Sequence, residues 1–192
     1  YIYREGENIN QFYIREYAGV NPETGAPQWW KEQEKVQTDA DGKPMKDEKG
    51  NPIIVKDANG NPVMETVPTE KWSEATQYAQ GDLLPKVYGG FGTTLNVYGV
   101  DLSVACAYQL GGKIYDNAYA ALMHTGYSNA GRNWHADILN SWTPENTDTD
   151  VPRVNVKDQY TTSISDRFLV SSNYLSLQNI TIGYTLPSKL TK

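Results

Sequence analysis

Two consecutive stretches, Lys86–Tyr98 and Val100–Gly111, alternate between apolar and small or polar residues, with Gly99 between them. In the first, Val87, Phe91, Leu95 and Val97 share one face, while Lys86, Tyr88, Gly90, Gly92, Thr94 and Asn96 share the other. In the second, Val100, Leu102, Val104, Cys106, Tyr108 and Leu110 oppose Asp101, Ser103, Ala105, Ala107, Gln109 and Gly111. A period of two sustained this long specifies β-strands with two chemically different faces. The non-apolar face is Gly, Ala, Ser, Thr and Asn with few charges, where a solvated soluble sheet would carry Lys, Glu and Arg. Strands of about ten residues, apolar on one side, small and polar on the other and joined by a tight turn, fit a transmembrane β-barrel. The competing reading is a half-buried soluble sheet.

Composition narrows the function classes. The 192 residues carry a net charge of −6 with no basic cluster, which argues against a nucleic-acid partner. Aromatic usage is lopsided, with 14 Tyr and 5 Trp against 3 Phe. Amphipathic rings suit membrane interfaces and sugar-binding surfaces, whereas Phe suits a dry core. The single cysteine, Cys106, excludes an internal disulfide framework and lies on the apolar face of its strand. No stretch approaches the roughly eighteen apolar residues of a membrane helix, and no signal peptide is visible. Both ends of the chain, Tyr1 and Lys192, read as cut from something longer.

Gln11–Val20 reads as a strand. From Asn21 to about Leu84 the chain is polar and turn-rich, with four copies of Gly-x-Pro at Gly25–Pro27, Gly42–Pro44, Gly50–Pro52 and Gly60–Pro62. Asp39, Asp47 and Asp57 precede the last three, which matches a type I turn closed by a positive-φ Gly and predicts a meander of hairpins with short strands such as Pro52–Val55. A calcium loop is the alternative, but no copy has the full ligand ladder. A long excursion, Gly112–Ser165, has room for short helices at Asp116–Met123 and Asn133–Leu139, then becomes loop through Trp142–Arg153. Asp166–Leu186 returns as strand. There Leu175 and Leu177 share one phase and Ile180, Ile182, Tyr184 and Leu186 the other, which predicts a β-bulge near Gln178–Asn179. In a barrel with short periplasmic turns and long outer loops, 21–84 and 112–165 are extracellular.

These residues also carry a resemblance. Leu84-Pro85-Lys86-Val87-Tyr88-Gly89-Gly90-Phe91-Gly92 and Tyr108-Gln109-Leu110-Gly111-Gly112-Lys113-Ile114-Tyr115-Asp116 resemble strands of SusC/RagA-type TonB-dependent outer-membrane transporters. Trp142-Thr143-Pro144-Glu145-Asn146 through Val151-Pro152-Arg153 is similar to that family's W-T-P-E-N…P-R loop. Tyr174–Pro187 is similar to its late Y-L-x-L-x-N-I-x-x-G-Y-x-L-P strand, and Ala18–Gly25 to a further segment. The resemblance implies that 1–192 is the C-terminal part of an all-β, antiparallel transmembrane barrel of about 22 strands. It also implies an outer-membrane location in a Gram-negative cell, and TonB-dependent import of an oligosaccharide or peptide. A SusD-like surface lipoprotein and, through the N-terminal part, the TonB complex are the implied partners, with outer-membrane lipid around the wall.

Enzyme chemistry is not visible. The carboxylates Asp39, Asp41, Asp47, Asp57, Glu145, Asp148 and Asp150 sit in turns, without the facing pair a glycosidase needs. His124 and His135 lack neighbours at zinc-ligand spacing, and nothing calls for a metal or cofactor. Trp134, His135 and Trp142 form the one aromatic cluster on a segment expected outside the membrane, and are the candidate ligand-binding residues. Such rings stack on sugars or peptides; equally, they pin a loop to itself. Trp29-Trp30 raises the same question. The alternative function is a soluble or surface-exposed β-rich module that binds glycans.

Overall fold

The computed structural model describes residues 3–127 and 131–187. In chain order the strands are β1 (Gln11–Arg15), β2 (Tyr17–Val20), β3 (Pro27–Glu34), β4 (Met64–Thr69), β5 (Gln77–Asp82), β6 (Val87–Val97), β7 (Val100–Leu110), β8 (Lys113–Tyr115), β9 (Leu169–Ser171) and β10 (Tyr174–Tyr184). One short helix, α1 (Asn117–Leu122), interrupts them. No helix of the described residues is long and apolar enough to cross a membrane. The chain divides into two compact units: the described parts of 1–13, 79–116 and 169–192 form the first, and 14–78 with 117–168 the second. Strands β1 and β5 pair as a two-stranded sheet, and the division falls within both.

The first unit is built on a three-stranded antiparallel sheet, β10-β7-β6, of which each strand is 11 residues long. Register aligns the two chemistries across it. One face presents Phe91–Cys106–Leu177, Thr93–Val104–Ile180, Leu95–Leu102–Ile182 and Val97–Val100–Tyr184. The other presents Gly90–Ala107–Ser176, Gly92–Ala105–Asn179 and Thr94–Ser103–Thr181. On that polar face the Thr94 and Ser103 hydroxyls lie 3.5 Å apart, and Asn96 Nδ2 donates to the Asp101 carboxylate. On the apolar face Phe91, Leu95, Leu175, Leu177, Ile180 and Ile182 are 54–73% exposed. A contiguous apolar surface of this kind marks contact with another apolar phase. Eleven residues tilted at about 40° span roughly the 25 Å apolar band of an outer-membrane barrel.

Two local features set this register. The β6–β7 turn has two residues, not one: both Tyr98 (φ 51°) and Gly99 (φ 82°) take positive φ, as in the type I′ turn that matches strand twist. The ladder of β10 on β7 skips Gln178, shifting between Leu177 and Asn179, as the change of phase predicts. Because one residue is looped out, Leu175 and Leu177 emerge on the same face as Ile180 and Ile182.

The second unit contains the sheet β2-β3-β4 and most of the buried apolar side chains, including Trp29, Met123 and Phe168. Between β3 and β4 lie the three Asp-headed turns. Asp39, Asp47 and Asp57 each accept two backbone N–H bonds, at 2.8–3.0 Å, from residues two and four ahead, and Gly42, Gly50 and Gly60 take φ of +78°, +85° and +84°. Backbone N–H groups, foremost those of Asn51 and Asn61, hold the Asp47 and Asp57 carboxyls below the usual carboxylate range. The aspartates therefore serve the turns.

The expected short strands after these turns are absent, and single bridges replace them: Thr38–Pro44, Lys46–Pro52 and Lys56–Pro62. A proline at the bridge has no N–H to extend a ladder. The backbones instead close into two rings of three hydrogen bonds. Gln37 donates to Ile53, Ile53 to Met45 and Met45 to Gln37; Lys35 donates to Val63, Val63 to Val55 and Val55 to Lys35, all at 2.8–2.9 Å.

Two longer strands expected from the sequence are broken as well. Gln11–Val20 splits at Glu16, where Tyr17 N turns to the Asp166 carboxylate at 2.7 Å. Asp166–Leu186 opens with a 3-10 turn over Asp166–Phe168 and breaks at Ser172–Asn173. There Asn173 Oδ1 takes the Gly111 N–H and Ser172 N donates to Gly112 O, so that β9 pairs with β8 while β10 pairs with β7. Around the helical stretches, α1 matches expectation and Asn133–Leu139 becomes a 3-10 turn, Ala136–Asn140.

If the apolar face meets lipid, Leu102→Arg in the full-length protein costs about 2–4 kcal/mol at mid-depth. Ser103→Arg, one position on and facing the other way, costs less. Thermal unfolding of the folded barrel in lipid, followed by electrophoretic mobility, measures the difference; equal losses would mean that protein covers both faces.

Candidate functional site

The segment from Gly112 to Ser165 carries Trp134, His135 and Trp142, and the structure gives each a defined partner. Trp134 Nε1 donates to His124 O at 2.8 Å and approaches His124 Nδ1 at 3.1 Å, with the two rings 5.5 Å apart. His124 is 2% exposed, and its Nδ1 also accepts from Gly126 N at 3.1 Å. Trp134 keeps half of its own surface open, at 51%. His135 caps the 3-10 turn Ala136–Asn140: its Nδ1 accepts from Asp137 N at 3.2 Å, and the edge of Tyr119 meets it at 4.9 Å.

Trp142 belongs to a separate assembly. It packs against Gly25 so closely that a Cβ there would lie 2.3 Å from Trp142 Cε3, and its Nε1 donates to Pro22 O at 3.2 Å. Gly25 stands at φ +72° in a turn closed by its own N–H to Asn21 O at 2.8 Å. Arg153 completes the joint. Its N donates to Gly25 O, its Nη1 to Thr24 O at 2.7 Å, and its Nε to the Asp158 carboxylate at 2.8 Å. Asp158 in turn raises the Arg153 pKa. The Asn21–Gly25 turn and the Trp142–Arg153 loop, far apart in sequence, are thus one interlocked structure. Trp142 contributes its ring to that lock, and no ring contact joins it to Trp134 among the described residues. No three His, Cys, Asp or Glu side chains of the described residues are grouped to hold a metal ion.

The adjacent tryptophans of β3 separate by strand alternation. Trp29 is 2% exposed and meets Tyr17 edge-on at 6.4 Å. Trp30, on the opposite face, lines an open recess of about 480 Å³ with Glu16, Glu32, Thr66 and Tyr78. Burial first, then the charges of Glu32 and Glu16, push the Tyr78 phenol pKa upward, so both carboxylates bear on the same recess. The sequence marked the Trp pair but not the glutamates, because Glu16 and Tyr78 reach β3 only through tertiary pairing.

No family model matches the chain. It is 31% identical to TonB-dependent receptor P3 of Formosa agariphila over 186 residues, which cover 97% of this chain and 16% of the receptor. To TonB-dependent receptor P26 of the same organism it is 26% identical over 108 residues, 56% of this chain and 10% of that receptor. Among solved structures it is similar to the RagAB peptide importer in its closed-closed state, with a TM-score of 0.64 and 26% identity over 94% of this chain and 17% of that one. A second RagAB peptide transporter structure aligns with a TM-score of 0.62 and 25% identity, over the same shares. The chain spans less than a fifth of each.

The Gly25–Trp142 contact gives a direct test. Gly25→Ala drives a methyl into the indole and holds Ala at positive φ, at a cost of about 1–3 kcal/mol from overpacking alone. Limited proteolysis of the full-length protein should show accelerated cleavage within 142–153. Gly60→Ala, also at positive φ but with nothing within 4 Å, serves as the control and leaves that loop protected.

Proposed function

The chain belongs to the SusC/RagA-type TonB-dependent receptors of the Gram-negative outer membrane, and on that premise we propose that the whole protein imports a nutrient with energy relayed by TonB. This segment supplies a stretch of barrel wall and two loops, 21–84 and 112–165, at the outer surface. The observation that carries the reading is the sheet β10-β7-β6, whose apolar face is exposed and whose polar face is lined by Gly, Ala, Ser and Thr. A soluble glycan-binding module has no use for an uncovered apolar band of that size.

The cargo we favour is a peptide, on the strength of the likeness to a peptide importer; an oligosaccharide is the other outcome of the test. A SusD-like surface lipoprotein would close over the outer loops, which are too long and polar for hydrocarbon. Of the aromatic candidates, Trp134 is the one with an open ring face to offer a ligand, while His135 and Trp142 act through the positions they hold.

Uptake by whole cells carrying the full-length protein and its lipoprotein tests the reading. Peptide uptake that disappears on deletion of TonB is expected; TonB-dependent uptake of oligosaccharides alone would reassign the cargo, and no TonB-dependent uptake would overturn the proposal. Thr147→Cys, in the loop before Arg153, should react with an impermeant maleimide on intact cells lacking the lipoprotein. Reaction only after the outer membrane is broken would invert the topology.

A further inference from the structure

The Trp29 indole is buried on β3, and its N–H has no acceptor among the described residues. A buried donor left unpaired is costly, and folded chains seldom keep one. The same unit shows what an indole N–H ordinarily meets. Trp134 Nε1 donates to His124 O at 2.8 Å and Trp142 Nε1 to Pro22 O at 3.2 Å, a backbone carbonyl in each case. Trp29 instead lines a cleft of about 200 Å³ between the start of β3 and the 153–160 loop. Pro27 and Trp29, two residues apart, are buried on the same face of β3. The facing loop is held in place. Asp158 N donates to Asn155 O at 2.9 Å, and the Thr125 and Thr161 hydroxyls donate to Asp158 O at 3.1 and 3.0 Å. The Tyr160 ring, also in the cleft wall, stacks on Trp72 at 5.8 Å with the planes 6° apart.

The charged side chains of the cleft balance, Glu70 and Asp158 against Arg153 and Lys157. Both carboxylates have partners. Asp158 accepts from Arg153 Nε and Nη2 at 2.8 and 3.1 Å, and Glu70 Oε1 accepts from Asn21 Nδ2 at 2.8 Å and Thr24 Oγ1 at 3.2 Å. A carboxylate or an ammonium group brought into this lining would add a charge with no counterpart. A neutral group with an acceptor oxygen would satisfy the indole and leave the balance as it is. Size points the same way. Pockets that take whole small ligands run to about 300–1,000 Å³, so a cleft smaller than that fits one group of a larger molecule.

We propose that the Trp29 cleft seats one amide carbonyl of the cargo, whose oxygen accepts the Trp29 Nε1 hydrogen bond. This rests on the peptide-import reading, where such a carbonyl belongs either to the peptide backbone or to an Asn or Gln side chain.

The test is calorimetric binding to the purified full-length protein, with Trp29 either native or replaced, at that position alone, by 3-benzothienylalanine. That replacement puts sulfur where the N–H was and keeps the shape of the ring. The probes are acetyl-trialanine amide, acetyl-Ala-Gln-Ala amide, acetyl-trialanine with a free carboxylate, and maltotriose. At least one of the two amides should bind, and about fivefold more weakly to the replaced protein, as for the loss of one hydrogen bond. An equal loss for both amides assigns the backbone carbonyl, and a loss confined to acetyl-Ala-Gln-Ala amide assigns the side chain. The proposal is overturned if neither amide binds, or if both bind the two proteins equally. It is also overturned if only the free carboxylate binds, or if maltotriose shows the same dependence on the N–H. Uptake separates this from the premise. If only the cleft assignment is wrong, TonB-dependent peptide uptake continues while binding is indifferent to the replacement. If only the import reading is wrong, uptake is absent while binding that depends on the N–H persists.

Discussion

Hydrocarbon offers no partner to a backbone N–H or C=O, and each group left unpaired there costs several kcal/mol. The sheet β10-β7-β6 meets this constraint along its central strand, where β7 is paired on both sides from Val100 to Gln109. Its consequences run through the rest of the chain. The strands share one length because a shorter partner would strand the ladder of its neighbour. Chain reversal at one end takes the two residues Tyr98 and Gly99. Trp29, Met123 and Phe168 are buried in the second unit, whereas the sheet β10-β7-β6 of the first displays apolar side chains outward.

The bulge at Gln178 shows how sequence and sheet are reconciled. Without it, either the leucines or the isoleucines of β10 would face the polar side beside Ser103 and Ala105. One looped-out residue keeps both sets on the lipid side and leaves Ser176, Asn179 and Thr181 opposite. The energetic reason is asymmetric. An unpaired residue at one ladder position is a local loss, while a pair of large apolar side chains turned inward would be a loss at two successive positions on that face.

What the sequence made legible was what local periodicity encodes. Alternation located β6 and β7, the change of phase located the bulge, and Asp-x-x-Gly located the turns. Local signals could not show that the three Gly-x-Pro arms close into rings, since that depends on which backbone groups remain after proline removes a donor at each bridge. Nor could they show that Trp142 completes the Asn21–Gly25 turn, a contact across more than a hundred residues that is dictated by the bare Cα of Gly25. The aromatic cluster read from Trp134, His135 and Trp142 was a cluster in sequence only: His124 and Tyr119 are the rings that Trp134 and His135 meet. Trp30 shows the converse, since an alternating strand separates it from Trp29 and residues of β4 and β5 line an open recess beside it.

The central claim is that β6, β7 and β10 are barrel wall, with lipid on one face and a wet interior on the other. Spin labels placed one at a time from Val100 to Leu110 and from Leu175 to Ile182, in the full-length protein in liposomes, measure it through relaxation by oxygen and by a water-soluble nickel chelate. Oxygen accessibility should peak at Leu102, Val104 and Cys106, and nickel accessibility at Ser103, Ala105 and Ala107. In β10 the alternation should slip by one residue at Gln178. Alternation that runs unbroken through Gln178, or a pattern in which both faces exclude the nickel chelate, would contradict it.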